Sequence, residues 1–173
     1  YTELNWTIFR PSLIFGDPRG NNRPEFCTQL KKDMLGLPIP APNFHKGLNP
    51  LDAGKFAMSP INVKDVASFF VKSIDMEASF KKTYHLGGVA YYWKDIIQTI
   101  AKAYGKNKWT IPAPSIAIQI VASLLGRFSW FPISKDQLTM LVEGNVCESD
   151  KTFELFKIEP TPFNTETLNY LNN

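Results

Sequence analysis

The chain has 173 residues, of which 44% are hydrophobic and 20% are charged, and its net charge is +3. This length allows one core or one part of a larger protein, and the composition is that of an ordinary globular protein. No run of Lys or Arg exceeds two residues, which argues against binding to nucleic acid or to an anionic membrane. Cys27 and Cys147 lack disulfide or metal-ligand spacing, so we expect a reducing compartment and no metal site.

The first predicted strand lies in residues 6–16, a nearly continuous apolar run that ends at Gly16. Such a run is typical of a strand that is buried on both faces of a parallel sheet. Pro11 cannot donate a ladder hydrogen bond, so regular pairing should end or bend near it. No secretory signal is expected ahead of this strand, because the first four residues lead directly into it.

Residues 26–35 have the apolar spacing of a short amphipathic helix. The Pro-rich and Gly-rich stretch that follows, as far as Ser59, predicts a long irregular loop. Such a loop is either a binding loop or lid, or a solvated insertion without function.

A short strand is predicted at residues 60–63, and Asp65 is predicted to cap the helix that follows it. The apolar face of that helix is expected to consist of Val66, Phe69, Phe70 and Ile74. Residues 83–88 predict another strand, which a Gly-Gly turn closes.

The second half predicts mainly helices, at residues 93–104, 112–125 and 135–143, a short one up to Phe156, and a terminal turn capped by Asn164 or Thr165. The longest apolar run, residues 111–125, is too short for a membrane span and is expected to be a core helix, with an interfacial membrane helix as the alternative. The strands of the first half are expected to have no partners among themselves. Because a lone buried strand cannot satisfy its backbone, the chain is predicted to be part of a larger α/β unit.

Three patterns, in this order, carry a family resemblance: the run from Trp6 to Gly16, the run Pro60-Ile-Asn-Val-Lys-Asp-Val-Ala67, and Tyr84-His-Leu-Gly-Gly88 before a Lys94-Asp-Ile-Ile helix. Together they resemble the extended short-chain dehydrogenase/reductase superfamily, the NAD-dependent epimerase/dehydratase-like proteins. The tail, from Trp109-Thr-Ile-Pro to Ile158-Glu-Pro, looks most like the atypical branch that contains the nucleotide-binding accessory subunit of respiratory complex I.

The resemblance implies an α/β fold, the C-terminal part of a Rossmann-type doubly wound protein, with few parallel strands and a mostly helical substrate-binding part. Residues 1–90 would hold the late Rossmann strands and the cleft loops, and residues 91–173 the helical part. The N-terminal Rossmann half would be the partner of this chain. The residues implied at the cofactor are Pro11, Ser12, Leu13 and Ile14. Those implied in the substrate cleft are Phe15, Gly16, Arg19 and His45.

The chain lacks the Gly-rich turn that binds pyrophosphate, and the family's catalytic Tyr-x-x-x-Lys is expected upstream of Tyr1. The spacing also occurs at Tyr104 and Lys108, but it straddles a predicted helix end and is interpreted as coincidence. We therefore expect no catalytic residue and no tightly bound NAD or NADP in this chain alone. Leu13 stands where sugar-nucleotide enzymes of the family usually carry an Asn, which favours a small, rather apolar substrate.

Three functions remain open from the sequence. The first is an NAD(P)-dependent oxidoreductase or epimerase. The second is a non-catalytic accessory protein of complex I that binds a protein partner, and the third is an NAD(P)-sensing regulator. The expected location is cytoplasmic or peripheral to a respiratory membrane, with no transmembrane segment.

Overall fold

The computed structural model of the protein describes residues 4–20, 25–45, 47, 49–116 and 144–172. The helix predicted at 135–143 and most of the one predicted at 112–125 lie outside the described residues. The strands are β1 (Thr7–Pro11), β2 (Ile14–Phe15), β3 (Ala41–His45), β4 (Ala57–Met58), β5 (Ile61–Asn62), β6 (Lys82–Leu86), β7 (Tyr91–Tyr92) and β8 (Thr110–Pro114). The helices are α1 (Phe26–Leu30), a π-helical turn (Lys31–Leu35), α2 (Val63–Ser73), α3 (Trp93–Ala103) and α4 (Asp150–Phe156). No helix among the described residues is long and apolar enough to cross a membrane.

The strands pair with one another, so the expectation that they have no partners within the chain was wrong. β1 is parallel to β6, β2 to β5 and β3 to β8, whereas β4 and β7 are antiparallel. The partners of each parallel pair are separated in sequence by tens of residues and a crossover connection, which is why neighbouring residues did not reveal them.

The expected loop at residues 37–59 contains β3 and β4, which is a second correction. β3 buries Ala41, Phe44 and His45, and its ladder with β8 spans five residues of each strand. Pro112 and Pro114 therefore lie in β8, and the helical residues that follow them begin at Ser115. Two prolines are tolerated because their missing N–H groups can point away from the single partner strand.

Helix α2 follows the predicted position with a different cap and a narrower buried face. The Asn62 side chain, not that of Asp65, accepts the hydrogen bond from the backbone N–H of Lys64, at 2.9 Å. Val66 and Phe69 are buried, whereas Phe70 and Ile74 are exposed. The reason is that α4 packs on the side of Phe69, with ring centroids of Phe153 and Phe156 at 5.1 and 5.2 Å.

Two hydrophobic clusters hold the fold together. The first surrounds α3, where Trp93 is fully buried, stacks on Phe56 at 5.4 Å and donates its indole N–H to the Pro42 carbonyl at 3.1 Å. It also includes Leu168 and Leu171 from the terminal turn, so both sides of residue 90 contribute to it. The second lies between the β1–β6 pair and helices α2 and α4. It fixes β1, and so the carboxyl end of that strand.

Candidate functional site at the strand fork

The residues at the carboxyl end of β1 form a fork between two partner strands. We call it the strand fork and define it as residues 11–14 together with the residues that line its gap, Ser59, Asn145 and Cys147. The Ser12 N–H donates to the Leu86 carbonyl at 2.7 Å, which prolongs the pairing of β1 with β6. One residue later the Leu13 carbonyl accepts from the Ile61 N–H at 2.8 Å, which begins the pairing of β2 with β5. The chain thus changes partner strand within two residues, immediately after the proline that cannot donate to a ladder. In parallel α/β sheets, ligands bind at the carboxyl ends of strands where neighbouring strands diverge.

The gap of the fork is lined by a segment from the C-terminal part of the chain, at Asn145 to Cys147. The Asn145 carbonyl accepts from the Ser12 hydroxyl at 3.1 Å and from the Ser59 N–H at 2.8 Å. The Cys147 N–H donates to the Ser59 hydroxyl oxygen at 3.3 Å. This segment therefore joins three parts of the chain that are far apart in sequence.

The turn after β6 packs closely against the same segment. A Cβ atom on Gly87 would lie 2.8 Å from the Cβ atoms of both Cys147 and Ser59, a distance that requires one of them to move. The Gly87 N–H donates to the Ser149 hydroxyl oxygen at 2.8 Å, and that hydroxyl donates to the His85 carbonyl at 3.0 Å. A Cβ atom on Gly88 would clash with the Pro60 carbonyl oxygen, so both glycines predicted to close this strand are needed for contact with the rest of the protein.

Cys147 is a half-buried thiol beside the Ser12 hydroxyl. Burial raises the pKa of Cys147, and the hydrogen bond with Ser12 opposes this increase without cancelling it. The thiol is therefore protonated near neutral pH, and it acts as a weak donor and a polarizable apolar contact, not as a nucleophile.

The four residues implied at the cofactor form the strand segment of this fork. Pro11 and Ile14 are exposed, and Ser12 and Leu13 are half-buried. Leu13 packs against the first hydrophobic cluster, so only part of its side chain can face a ligand.

The residues implied in the substrate cleft differ in exposure and lie in different parts of the structure. Phe15 and Gly16 are fully enclosed, and Phe15 contacts Phe163 with ring centroids 5.0 Å apart. Arg19 is exposed in a turn in which the Asp17 carboxylate accepts from its N–H at 2.8 Å. His45 is only 5% exposed in β3, and its Nδ1 has no hydrogen-bond partner among the described residues. The hydrogen bonds and ring contacts of the described residues do not join His45 to the fork.

The Tyr-x-x-x-Lys spacing at Tyr104 and Lys108 has a structural role. The Tyr104 hydroxyl and the Lys108 ammonium group both donate to the Leu35 carbonyl, at 2.9 and 3.1 Å. Sequence reasoning did not identify Asn145, Cys147 or Ser59 as fork residues. Their contacts depend on a return of the chain across more than 80 residues, for which no local pattern exists.

Comparisons with known proteins show what this chain is similar to in sequence and in fold. No family model matches the chain. It is 26% identical over 106 residues to the photosystem II assembly factor Ycf39 of Synechocystis, a match that covers 58% of this chain and 32% of that protein. Among solved structures, gox2253 has a TM-score of 0.63 at 18% identity and covers 95% of this chain and 47% of its own.

Two epimerases of known structure are also similar to the chain in fold, at low sequence identity. The UDP-glucose 4-epimerase of Thermus thermophilus, solved with NAD, has a TM-score of 0.61 at 15% identity, over 98% of this chain and 46% of that one. A nucleoside-diphosphate-sugar epimerase of Staphylococcus aureus has a TM-score of 0.56 at 18% identity, over 99% and 53%. The chain has the fold of the C-terminal portion of a Rossmann-type protein. It spans about half the length of these solved structures and about a third of the curated relative.

Proposed function

We propose that this chain is the substrate-binding C-terminal portion of an NAD(P)-binding protein of the short-chain dehydrogenase/reductase type. The observation that carries the proposal is the strand fork, in which a short apolar segment changes partner strand at the carboxyl end of a parallel pair. In the whole protein an N-terminal Rossmann half would provide the pyrophosphate turn and the catalytic Tyr and Lys.

The residues at the fork fit the nicotinamide end of the cofactor. Pro11 and Ile14 offer exposed apolar surface, and Ser12 and Cys147 offer polar atoms beside it. A flat ring can lie on such a surface, and the bound cofactor would supply hydride transfer. The fork contains no charged side chain among its described residues, which supports an oxidoreductase or epimerase that acts on a small, rather apolar substrate.

The alternative to an enzyme is a non-catalytic function, either as an accessory subunit of respiratory complex I or as an NAD(P)-sensing regulator. The observation that favours it is the likeness to Ycf39, which is described as an assembly factor. The sequence upstream of this chain distinguishes the enzyme from the non-catalytic alternative. An intact Tyr-x-x-x-Lys there supports the enzyme, and its loss supports the accessory role or the regulator.

The test uses the longer protein that contains this chain and the change Leu13→Asp. An unpaired carboxylate on the apolar surface of the fork should lower the affinity for NADH, NADPH or substrate at least tenfold, since burying such a group under a ligand costs about 1–3 kcal/mol or more. Calorimetry gives the affinity and a thermal melt gives the stability of the same variant.

The matched control is Leu51→Asp, at an exposed leucine in a short turn after β3. This variant should keep the wild-type affinity. A Leu13→Asp protein with wild-type affinity and a lower melting temperature would assign Leu13 to the core alone. A longer protein that binds neither NADH nor NADPH at millimolar concentration would contradict the proposed function itself.

A further inference from the structure

Four large apolar side chains are exposed together at one end of the β3–β8 pair, and we call them the tryptophan patch. Trp109 is 82% exposed, Ile39 56%, Ile111 50% and Leu37 41%. The pairing brings them together, because the Ala41 N–H donates to the Trp109 carbonyl at 2.8 Å and Pro42 lies opposite Ile111. Clusters of exposed apolar side chains usually mark an interaction site, whereas single ones need no explanation.

Lysines surround the same end of the molecule. The ammonium group of Lys108, the residue before Trp109, donates to the carbonyls of Leu35 and Leu37. Lys31 and Lys106 approach the ring of Tyr104, with ammonium nitrogens 5.7 and 5.8 Å from its centroid. Since Tyr104 also donates to the Leu35 carbonyl, the three lysines gather around one turn.

None of these three lysines forms an ion pair with a carboxylate of the described residues. The ion pair found among those residues joins Lys55 to Asp52. Burial lowers the pKa of Lys108, and the positive charge of Lys106 lowers it further. Of the three ammonium groups, that of Lys106 belongs to an exposed residue, whereas those of Lys31 and Lys108 donate to backbone carbonyls.

We propose that the tryptophan patch and its lysine group form a docking site for a membrane surface that contains anionic lipids. Trp is the residue that prefers the boundary between headgroups and acyl chains, and Ile and Leu beside it add apolar area that can enter the same layer. Lysines close to an anionic bilayer strengthen such binding, and the effect extends over about one Debye length.

The sequence argued against an anionic membrane because it contains no run of basic residues. The fold assembles the positive charge from Lys31 on the π-helical turn and from Lys106 and Lys108 after α3. The four apolar side chains project from the end of a strand pair. They can therefore enter a bilayer surface without the groove that a peptide ligand would require. The site would hold the protein at the surface of a bilayer, and it is independent of the cofactor site.

The test measures binding of the chain to vesicles of phosphatidylcholine with about 30 mol% phosphatidylglycerol, and to vesicles of phosphatidylcholine alone, by co-sedimentation. We expect binding to the anionic vesicles to be at least tenfold stronger and to weaken as salt is raised. Trp109→Ser should reduce binding about tenfold, and Lys106→Gln should reduce it only on anionic vesicles. Trp109 and Lys106 are exposed, so both variants should fold, which far-ultraviolet circular dichroism checks.

The matched controls lie on α2, where Val71 is 68% exposed and Lys64 is exposed. Val71→Ser and Lys64→Gln should bind vesicles as the wild type does. Equal binding to neutral and anionic vesicles, or Trp109→Ser binding at wild-type strength, would overturn the proposal. Capture of an acidic protein through Trp109, without vesicle binding, would also overturn it and assign the patch to a protein partner.

Discussion

At the scale of single residues, Gly87 is a position at which the fork has no room for a side chain. Its α-carbon faces the side chains of Cys147 and Ser59, which leave no room for a methyl group. Gly87→Ala should therefore lower the free energy of unfolding by about 1–3 kcal/mol, the usual effect of overpacking. For a protein of this size the melting temperature should fall by about 2–12 °C, which scanning calorimetry measures.

Val89→Ala is the control for this prediction, because Val89 lies two residues later in the same turn and is exposed. Its melting temperature should change by less than about 2 °C, since exposed substitutions usually alter stability by about 0.5 kcal/mol or less. An unchanged melting temperature in Gly87→Ala would mean that the C-terminal segment does not occupy the fork in solution.

At the scale of elements, α2 is joined to the C-terminal tail by a buried carboxylate. Asp65 accepts hydrogen bonds from the Thr161 N–H at 2.8 Å and from its hydroxyl at 2.7 Å. Asp65→Asn can keep an acceptor for the Thr161 N–H, but its amide then faces the Thr161 hydroxyl, which must turn from donor to acceptor, and both hydrogen bonds lose the negative charge of the carboxylate. We expect a loss of about 1–3 kcal/mol in the free energy of unfolding, measured by urea titration.

The comparison for this prediction is Asp75→Asn, at an exposed position just beyond the end of the same helix. It should change stability by no more than about 0.5 kcal/mol. Should Asp65→Asn and Asp75→Asn unfold at the same urea concentration, the contact with Thr161 would not contribute to stability.

The same helix shows how far the sequence predicts an element. The position of α2 was predictable, because an apolar period begins directly after a short β-prone run. The role of Asp65 was not, since an acidic residue near a helix start fits a cap equally well as a tertiary contact. Similarly, β3 was missed because a segment rich in proline and glycine lacks strand propensity, and only its ladder with β8 stabilises it.

At the scale of the whole molecule, we predict that this chain alone binds NADH and NADPH weakly or not at all. The chain has neither the pyrophosphate-binding turn nor the ribose-binding Lys. Titration calorimetry with both nucleotides is the measurement. A micromolar dissociation constant, equivalent to about 8 kcal/mol of binding free energy, would show that a complete site exists without an N-terminal half.

Of the two sides of the fork, only the strand segment that follows β1 was predictable from the sequence. The run that ends at Gly16 indicated a late Rossmann strand, and Pro11 indicated the bend at which β1 ends. The other side of the fork comes from Asn145 and Cys147, more than 130 residues away, and no periodicity links them to Ser12. A site assembled from distant segments requires the tertiary fold, whereas each strand requires only its own residues.

The pairing of β1 has a consequence for the behaviour of the purified chain. Among the described residues β1 pairs only with β6, so its second edge presents free N–H and C=O groups beside an exposed Ile8. An uncovered edge of this kind is a template for strand addition by another molecule. Pro11, which has no backbone N–H, hinders such pairing only at the last residue of the strand. Concentrated solutions of the isolated chain should therefore self-associate through β1, and a charged residue in place of Ile8 should keep it dispersed.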